Sequence, residues 1–248
     1  MIIHSYGNPK DPAIVMFHPM LLPGKQLVEH MGKKIPGDYF LVAPDQAGHG
    51  DDPDMFFSPK KDAKELSRFL KEKGINEIEL LYAASMGSIT SMEFLKLDGF
   101  HIKHIHLDGT PLAKITGIQS VLSPLLYKVA LRKTKKDPTY LTKTLEPIYG
   151  SELGNTMSKQ MSMLSRKCLS QIMAGCNAGC AAVLKEENCQ NMIFEWGEKE
   201  FNLIKGKPLA EKMYPWARII VRKGSDHCEF LGKQPEAYAQ EIAKELVD

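Results

Sequence analysis

Residues 78–97 read IELLYAASMGSITSMEFLKL. Ile78–Tyr82 (IELLY) is an apolar run of strand length, Ser88 to Leu97 is helix-like, and only Ala83-Ala84-Ser85-Met86-Gly87 lies between them. A strand that turns so sharply into a helix holds the central residue, Ser85, in a strained backbone conformation. The positions two before and two after it must be small, because the chain folds back on itself there. Ala83 and Gly87 meet that demand. The pattern small-x-Ser-x-small alone is weak, with on the order of one chance match in a chain of this length. Here the flanking strand and helix make it specific, and no other serine combines the spacing with both. Such a nucleophile elbow exposes the Ser85 hydroxyl above a sheet edge and leaves the Met86 N–H at a helix N-terminus, aimed at a developing oxyanion.

Outward from the elbow, apolar runs alternate with amphipathic stretches. Ala13–Phe17 (AIVMF), Tyr39–Ala43 (YFLVA), Ile102–Leu107 (IKHIHL), Met192–Trp196 (MIFEW) and Ala217–Val221 (ARIIV) read as further strands. One helix opens with Ser58 as N-cap and Pro59 at its first position, turns Ala63, Leu66, Phe69 and Leu70 to the core, and stops at Gly74. Others are expected around Leu203–Met213 and from about Pro235. Alternation of this kind calls for an α/β fold, a mostly parallel twisted sheet flanked by helices, rather than a bundle or a sandwich. Between Pro111 and about Gly175 the alternation gives way to helix-like stretches, with Pro124, Pro138 and Pro147 as breakers. Residues 1–110 and 176–248 therefore form the expected core, and 111–175 a helical cap insertion.

The elbow and its surroundings resemble the α/β-hydrolase family over nearly the whole chain apart from the insertion. Phe17-His18-Pro19-Met20 ends the first core strand, where the family has His-Gly followed by a residue whose backbone N–H completes the oxyanion hole. The resemblance gives that role to Met20, beside Met86. Pro19 replaces the glycine and lacks an N–H, but the donor is the following residue. Pro44-Asp45-Gln46-Ala47-Gly48-His49-Gly50 is similar to the family's Asp-x-x-Gly-x-Gly loop, whose glycines read as structural.

A serine nucleophile needs a base, and of the eight histidines only His227 lies in a polar loop after the last strand, where the family places it. The histidine in turn needs a carboxylate to fix its tautomer. Trp196-Gly197-Glu198-Lys199-Glu200 is similar to the family's Gly-x-x-Asp, with Glu200 in the acid position; Glu198 is the near rival, and Asp108 and Asp226 are the other candidates. The order Ser85, Glu200, His227 is the one this fold uses. The resemblance implies a serine hydrolase that cleaves a small or medium carboxylic ester through an acyl-enzyme, with no cofactor and no metal. C–C bond hydrolysis, thioester hydrolysis, or a non-catalytic ligand-binding role on the same triad stand as alternatives.

Composition bounds the rest. The chain has 248 residues and is 43% hydrophobic, enough for one sizeable core, which excludes a disordered chain or a small disulfide scaffold. A formal charge of +2 gives no strong overall pull toward nucleic acid or membrane, so any basic surface must be local. Within residues 111–167, however, ten basic residues, among them Lys133, Lys135 and Lys136, face three acidic ones. They are either a solvated helical surface or an attraction for an anionic substrate or partner. Leu122, Leu125, Leu126, Met157, Met161 and Met163 of the same segment either line an apolar acyl pocket or bury the insertion against the sheet. No apolar run reaches the ~18 residues of a membrane span and no apolar signal core opens the chain, so a cytoplasmic protein is expected. Its five cysteines are expected to be reduced thiols. Cys176 and Cys180 lack a second pair for zinc, and His104-Ile105-His106-Leu107-Asp108, although it resembles part of a metallo-β-lactamase motif, lacks the further histidines. Strand histidines satisfied by neighbours explain that string better.

Overall fold

A computed structural model describes residues 1–50, 57–186 and 189–247. Among them, seven strands form one sheet in the order β1-β3-β2-β4-β5-β6-β7. The strands are β1 (Ile2–Tyr6), β2 (Ala13–Phe17), β3 (Phe40–Asp45), β4 (Glu77–Ala84), β5 (His101–Asp108), β6 (Met192–Gly197) and β7 (Arg218–Arg222). Only β1 runs antiparallel, pairing with β3 at one edge. The inner strands β2, β3 and β6 are buried at every residue, as parallel strands covered on both faces must be.

Helices fill the connections and both faces. They are α1 (Gly24–His30), α2 (Pro59–Glu72), α3 (Met86–Phe94), α4 (Gln119–Thr134), α5 (Thr142–Tyr149), α6 (Ser151–Met163), α7 (Arg166–Ala178), α8 (Phe201–Met213), α9 (Glu229–Lys233) and α10 (Pro235–Glu245). One apolar cluster, with Val15, Leu66, Leu81 and Phe194, lies on one side of the sheet; a second, with Ile14, Met16, Tyr82 and Ile242, lies on the other. Neighbouring residues of one strand thus feed opposite cores, as the two-residue period requires. No helix among the described residues is long and apolar enough to cross a membrane.

Four helices, α4 to α7, lie between β5 and β6, where the alternation fails in the sequence. The prolines do not all act as breakers there. Pro138 separates α4 from α5, but Pro124 lies inside α4 and Pro147 inside α5. The ring of Pro124 removes the N–H that would bond the Ser120 carbonyl one turn back. That carbonyl instead accepts from Asn177 Nδ2 at 2.9 Å, so α7 supplies the missing donor and the helix continues. Ser58 does precede Pro59 at the start of α2, but its side chain makes no capping hydrogen bond. All five cysteines are free thiols.

Candidate active site

The carboxyl ends of the parallel strands gather the site, because each strand hands over there to the loop that carries a functional side chain. At the end of β4, Ser85 adopts φ 50° and ψ −115°, a conformation that side-chain-bearing residues rarely take. Its N–H donates to the Asp108 carbonyl at 2.7 Å, which ties the turn to β5. A Cβ on Gly87 would lie 2.4 Å from the Phe17 carbonyl oxygen, so the helix can start only with glycine at this place.

His227 lies in the loop between β7 and α9, and Glu200 at the start of α8. His227 Nε2 is 2.8 Å from Ser85 Oγ, and Nδ1 is 2.6 Å from Glu200 Oε2. Glu200 is buried, and its other oxygen accepts from the Gly197 N–H at 2.5 Å, which orients the carboxylate. A carboxylate can only accept, so Nδ1 carries the proton and Nε2 presents a lone pair to the serine hydroxyl. Burial of the imidazole acts to lower its pKa, but the Glu200 charge and hydrogen bond, with Asp108 and Asp226 nearby, outweigh it and hold the pKa above 6.5.

The other carboxylates have different partners. Glu198 accepts from the Gly224 N–H, Asp226 accepts the backbone N–H of His227 rather than its ring, and Asp108 is approached by the Tyr82 hydroxyl at 3.4 Å. Burial, together with the charges of Glu195 and Glu200, pushes Asp108 up to about 7. Gly109 follows it with φ 61°, and a Cβ there would lie 2.6 Å from His227 Cε1. Space for the His227 ring is therefore what requires glycine after Asp108. His106 is engaged elsewhere, with Nδ1 2.9 Å from Glu245 and Nε2 3.1 Å from Glu195. Among the described residues no group of three or more His, Cys, Asp or Glu is placed to hold a metal ion. Burial pushes the Cys176 thiol up to about 12 and raises Cys180 as well, so both stay protonated.

Beside Ser85, the loop after β2 brings Met20 to the site. Among the described residues, neither the Met20 nor the Met86 N–H has a protein acceptor. Met86 is the first residue of α3, where the N–H groups have no intrahelical partner and the helix dipole favours negative charge. Leu21 follows Met20 in the left-handed region, φ 73°, and its N–H donates to His49 Nε2 at 3.0 Å. His49 is fully buried and burial lowers it to about 4, so the ring is neutral and can accept. Its Nδ1 then donates to the Ala47 carbonyl at 3.1 Å. His18, held far below its ordinary range by burial, accepts the Gln46 N–H at 2.9 Å, and its ring lies 4.9 Å from that of His49. Two neutral imidazoles thus lock the loop that carries Met20.

No protein-family model matches the sequence, and no curated protein matches it. Solved structures do match over the full length. An alpha/beta hydrolase family protein from Desulfitobacterium hafniense superposes with a TM-score of 0.73 at 15% identity, covering 100% of both chains. An esterase from Exiguobacterium antarcticum superposes with a TM-score of 0.75 at 14% identity, covering 99% of this chain and 95% of the other. A bromoperoxidase from Bacillus anthracis gives 0.76 at 13% identity, covering 99% and 95%. The chain has the α/β-hydrolase fold.

Above the elbow of this α/β-hydrolase fold lies a cavity of about 280 Å³. Ser85 and His227 open into it, and Met20, Leu126, Leu145, Leu153, Met157 and Met161 are among its walls. No Asp, Glu, Lys or Arg among the described residues lines it. Of the six apolar residues singled out in the sequence, Leu126, Met157 and Met161 line the cavity, whereas Leu122, Leu125 and Met163 are 45–58% exposed at the surface. The sequence does not announce Tyr149, His18 and His49 as site residues. Tyr149, at the end of α5, lines the cavity and donates its hydroxyl to the His227 carbonyl at 2.9 Å. The signal that could have found the two histidines is their position, each just after a strand that ends at the elbow's level.

Proposed function

We propose that this protein is a serine hydrolase of small or medium apolar carboxylic esters. Ser85 attacks the ester carbonyl, and His227 takes the hydroxyl proton at Nε2 and delivers it to the leaving alcohol. A water activated by the same imidazole then hydrolyses the acyl-enzyme. Glu200 orients His227 and stabilises the imidazolium, and the Met20 and Met86 N–H groups receive the oxyanion of each tetrahedral intermediate. Residues 111–175 act as a cap that supplies one wall of the acyl site, and the free cysteines accord with work in the reducing cytoplasm.

The observation that carries this reading is the unbroken hydrogen-bonded line Glu200–His227–Ser85 at the mouth of an apolar cavity. A lining without Asp, Glu, Lys or Arg among the described residues favours a neutral ester over an acidic one, because burying a substrate carboxylate without a partner is costly. The esterases among the structural relatives lend analogy only, since the same fold also carries a bromoperoxidase. The test is stoichiometric labelling by a fluorophosphonate, beside a p-nitrophenyl ester series with thioester and amide analogues. Labelling should require Ser85 and His227, and Ser85→Ala should lower ester turnover by ~10⁶. Turnover by Ser85→Ala within tenfold of wild type would reject the assignment.

A further inference from the structure

Helix α4 is apolar on both faces. Tyr127 and Ala130 line the cavity and Leu131 is buried, whereas Ile118, Val121, Leu122, Leu125, Leu126 and Val129 stand 42–80% exposed. These are six of the twelve large apolar side chains exposed among the described residues, so they form a patch rather than a scatter. Their spacing of three and four residues sets them in one stripe about 17 Å long on the solvent side of the helix. Leu126 belongs to both surfaces, so a single helix separates the cavity from whatever covers the stripe.

The charge around the stripe has one sign. Lys128 flanks it, and Arg132, Lys135 and Lys136 follow at the C-terminal end, all exposed. Among the described residues none of these four has a carboxylate within ion-pair distance, while Lys133 is engaged by the Tyr140 hydroxyl at 3.0 Å. Residues 111–136 hold six of the chain's 32 basic residues and none of its 30 acidic ones, which leaves the remainder at net −4. The molecule is therefore electrically polarised toward this helix.

We propose that the outer face of α4 docks on an anionic lipid surface, the stripe immersed in the outer acyl region and Lys128, Arg132, Lys135 and Lys136 against lipid phosphates. A helix lying in the interface immerses its apolar side by ~5–10 Å, and cations beside it add attraction to anionic headgroups. A second copy of the chain is a poorer occupant. Two such faces brought together in either direction would set cations against a segment without a single carboxylate. Docking at this helix would bring a membrane-dissolved ester to the wall of the cavity.

The test is co-sedimentation with vesicles of phosphatidylcholine alone and of phosphatidylcholine mixed with phosphatidylglycerol. Wild type should partition onto the mixed vesicles and lose that binding in high salt. Val121→Ser with Leu125→Ser should weaken partition by about tenfold or more. Lys128→Gln and Arg132→Gln should each weaken it by about fivefold. All four positions are exposed, so melting temperature and turnover of a short soluble ester should stay at wild-type values. Ser85→Ala should bind vesicles like wild type, because docking uses no group of the triad. Absence of wild-type binding to mixed vesicles, or equal binding by the stripe variants, overturns the proposal. A wild-type dimer that Leu125→Ser turns into a monomer, with no vesicle binding by either, overturns it in favour of a self-interface.

Discussion

A carboxylate 2.6 Å from Nδ1 changes what His227 can do near neutral pH. In the proposed mechanism the His227 ring must be neutral to accept the Ser85 proton, and Glu200 favours the charged ring, so its pKa lies above 6.5. Activity should therefore fall as pH drops through a midpoint above 6.5. Glu200→Gln removes the charge and leaves burial as the main influence. The midpoint should move down while turnover falls by up to ~10⁴, less than for the serine change. Asp108→Asn is the control, and a larger loss there than in Glu200→Gln in the kcat profile would move the acid to β5. His49 acts one step further out, through Leu21. His49→Phe removes the acceptor that keeps Leu21 left-handed, so kcat should fall ~10-fold or more as the Met20 N–H drifts, within the ~10²–10³ for loss of an oxyanion donor. KM should change little and His49→Gln should recover part of the rate; an unchanged kcat in His49→Phe would separate that ring from catalysis. Ser85 is legible in the sequence because its strain forces small neighbours at fixed spacing. His18 and His49 are not, because a buried neutral imidazole is chosen by partners 28 residues away.

Elements show the same division. The buried strands β2 and β6 begin where their apolar runs begin, because a strand covered on both faces needs an unbroken apolar run. Strand β1 escapes notice: it is a five-residue antiparallel edge with one exposed and four half-buried residues, and His4 and Ser5 interrupt it. Helix α1 has only seven residues and no side-chain cap, so nothing local marks its start. The histidine string of β5 reads as neighbour-satisfied, and this holds for His106, whose neighbours form a buried ionic network. His106 joins β5 to Glu195 of β6 and Glu245 of α10, and Glu195 is also held by Arg222 of β7 at 2.6 Å. Burial opposes the charge on His106, but the two carboxylates outweigh it and push the ring up to about 10. A folded-state pKa above the unfolded value makes this contribution to stability full below the ordinary histidine range. It then declines as pH rises toward about 10. The melting temperature of wild type should thus fall between neutral pH and pH about 10. His106→Asn should melt lower at neutral pH, by roughly 3 kcal/mol of stability, and with a flatter pH dependence. Parallel curves for the two proteins would show that the ring is uncharged in the folded state.

At the scale of the whole molecule, the carboxyl ends of the sheet place Ser85, Glu200 and His227, and helices between β5 and β6 wall the cavity beside them. The arrangement of the sheet follows from alternation in the sequence, but the faces of α4 and α6 do not. Leucine and methionine at helical spacing suit a buried wall and a solvent-facing stripe equally, and only packing separates Met161, wholly buried at the cavity, from Met163, two residues on and 58% exposed. The cavity, about 280 Å³, sits at the small end of ligand pockets, which run ~300–1,000 Å³, so added bulk in its wall should be felt at once by a longer acyl chain. Met161→Trp replaces a flexible thioether with a rigid bicycle. It should cost ~1–3 kcal/mol of stability through overpacking and leave the Ser85–His227 geometry intact. Specificity constants for acetate esters should then stay close to wild type while those for longer acyl esters fall several-fold. Because no Asp, Glu, Lys or Arg among the described residues lines the cavity, neither set should respond to added salt. Equal losses at every chain length, with unchanged labelling of Ser85 by a small fluorophosphonate, would make Met161 a packing residue of α6 and move the acyl site elsewhere along the cavity.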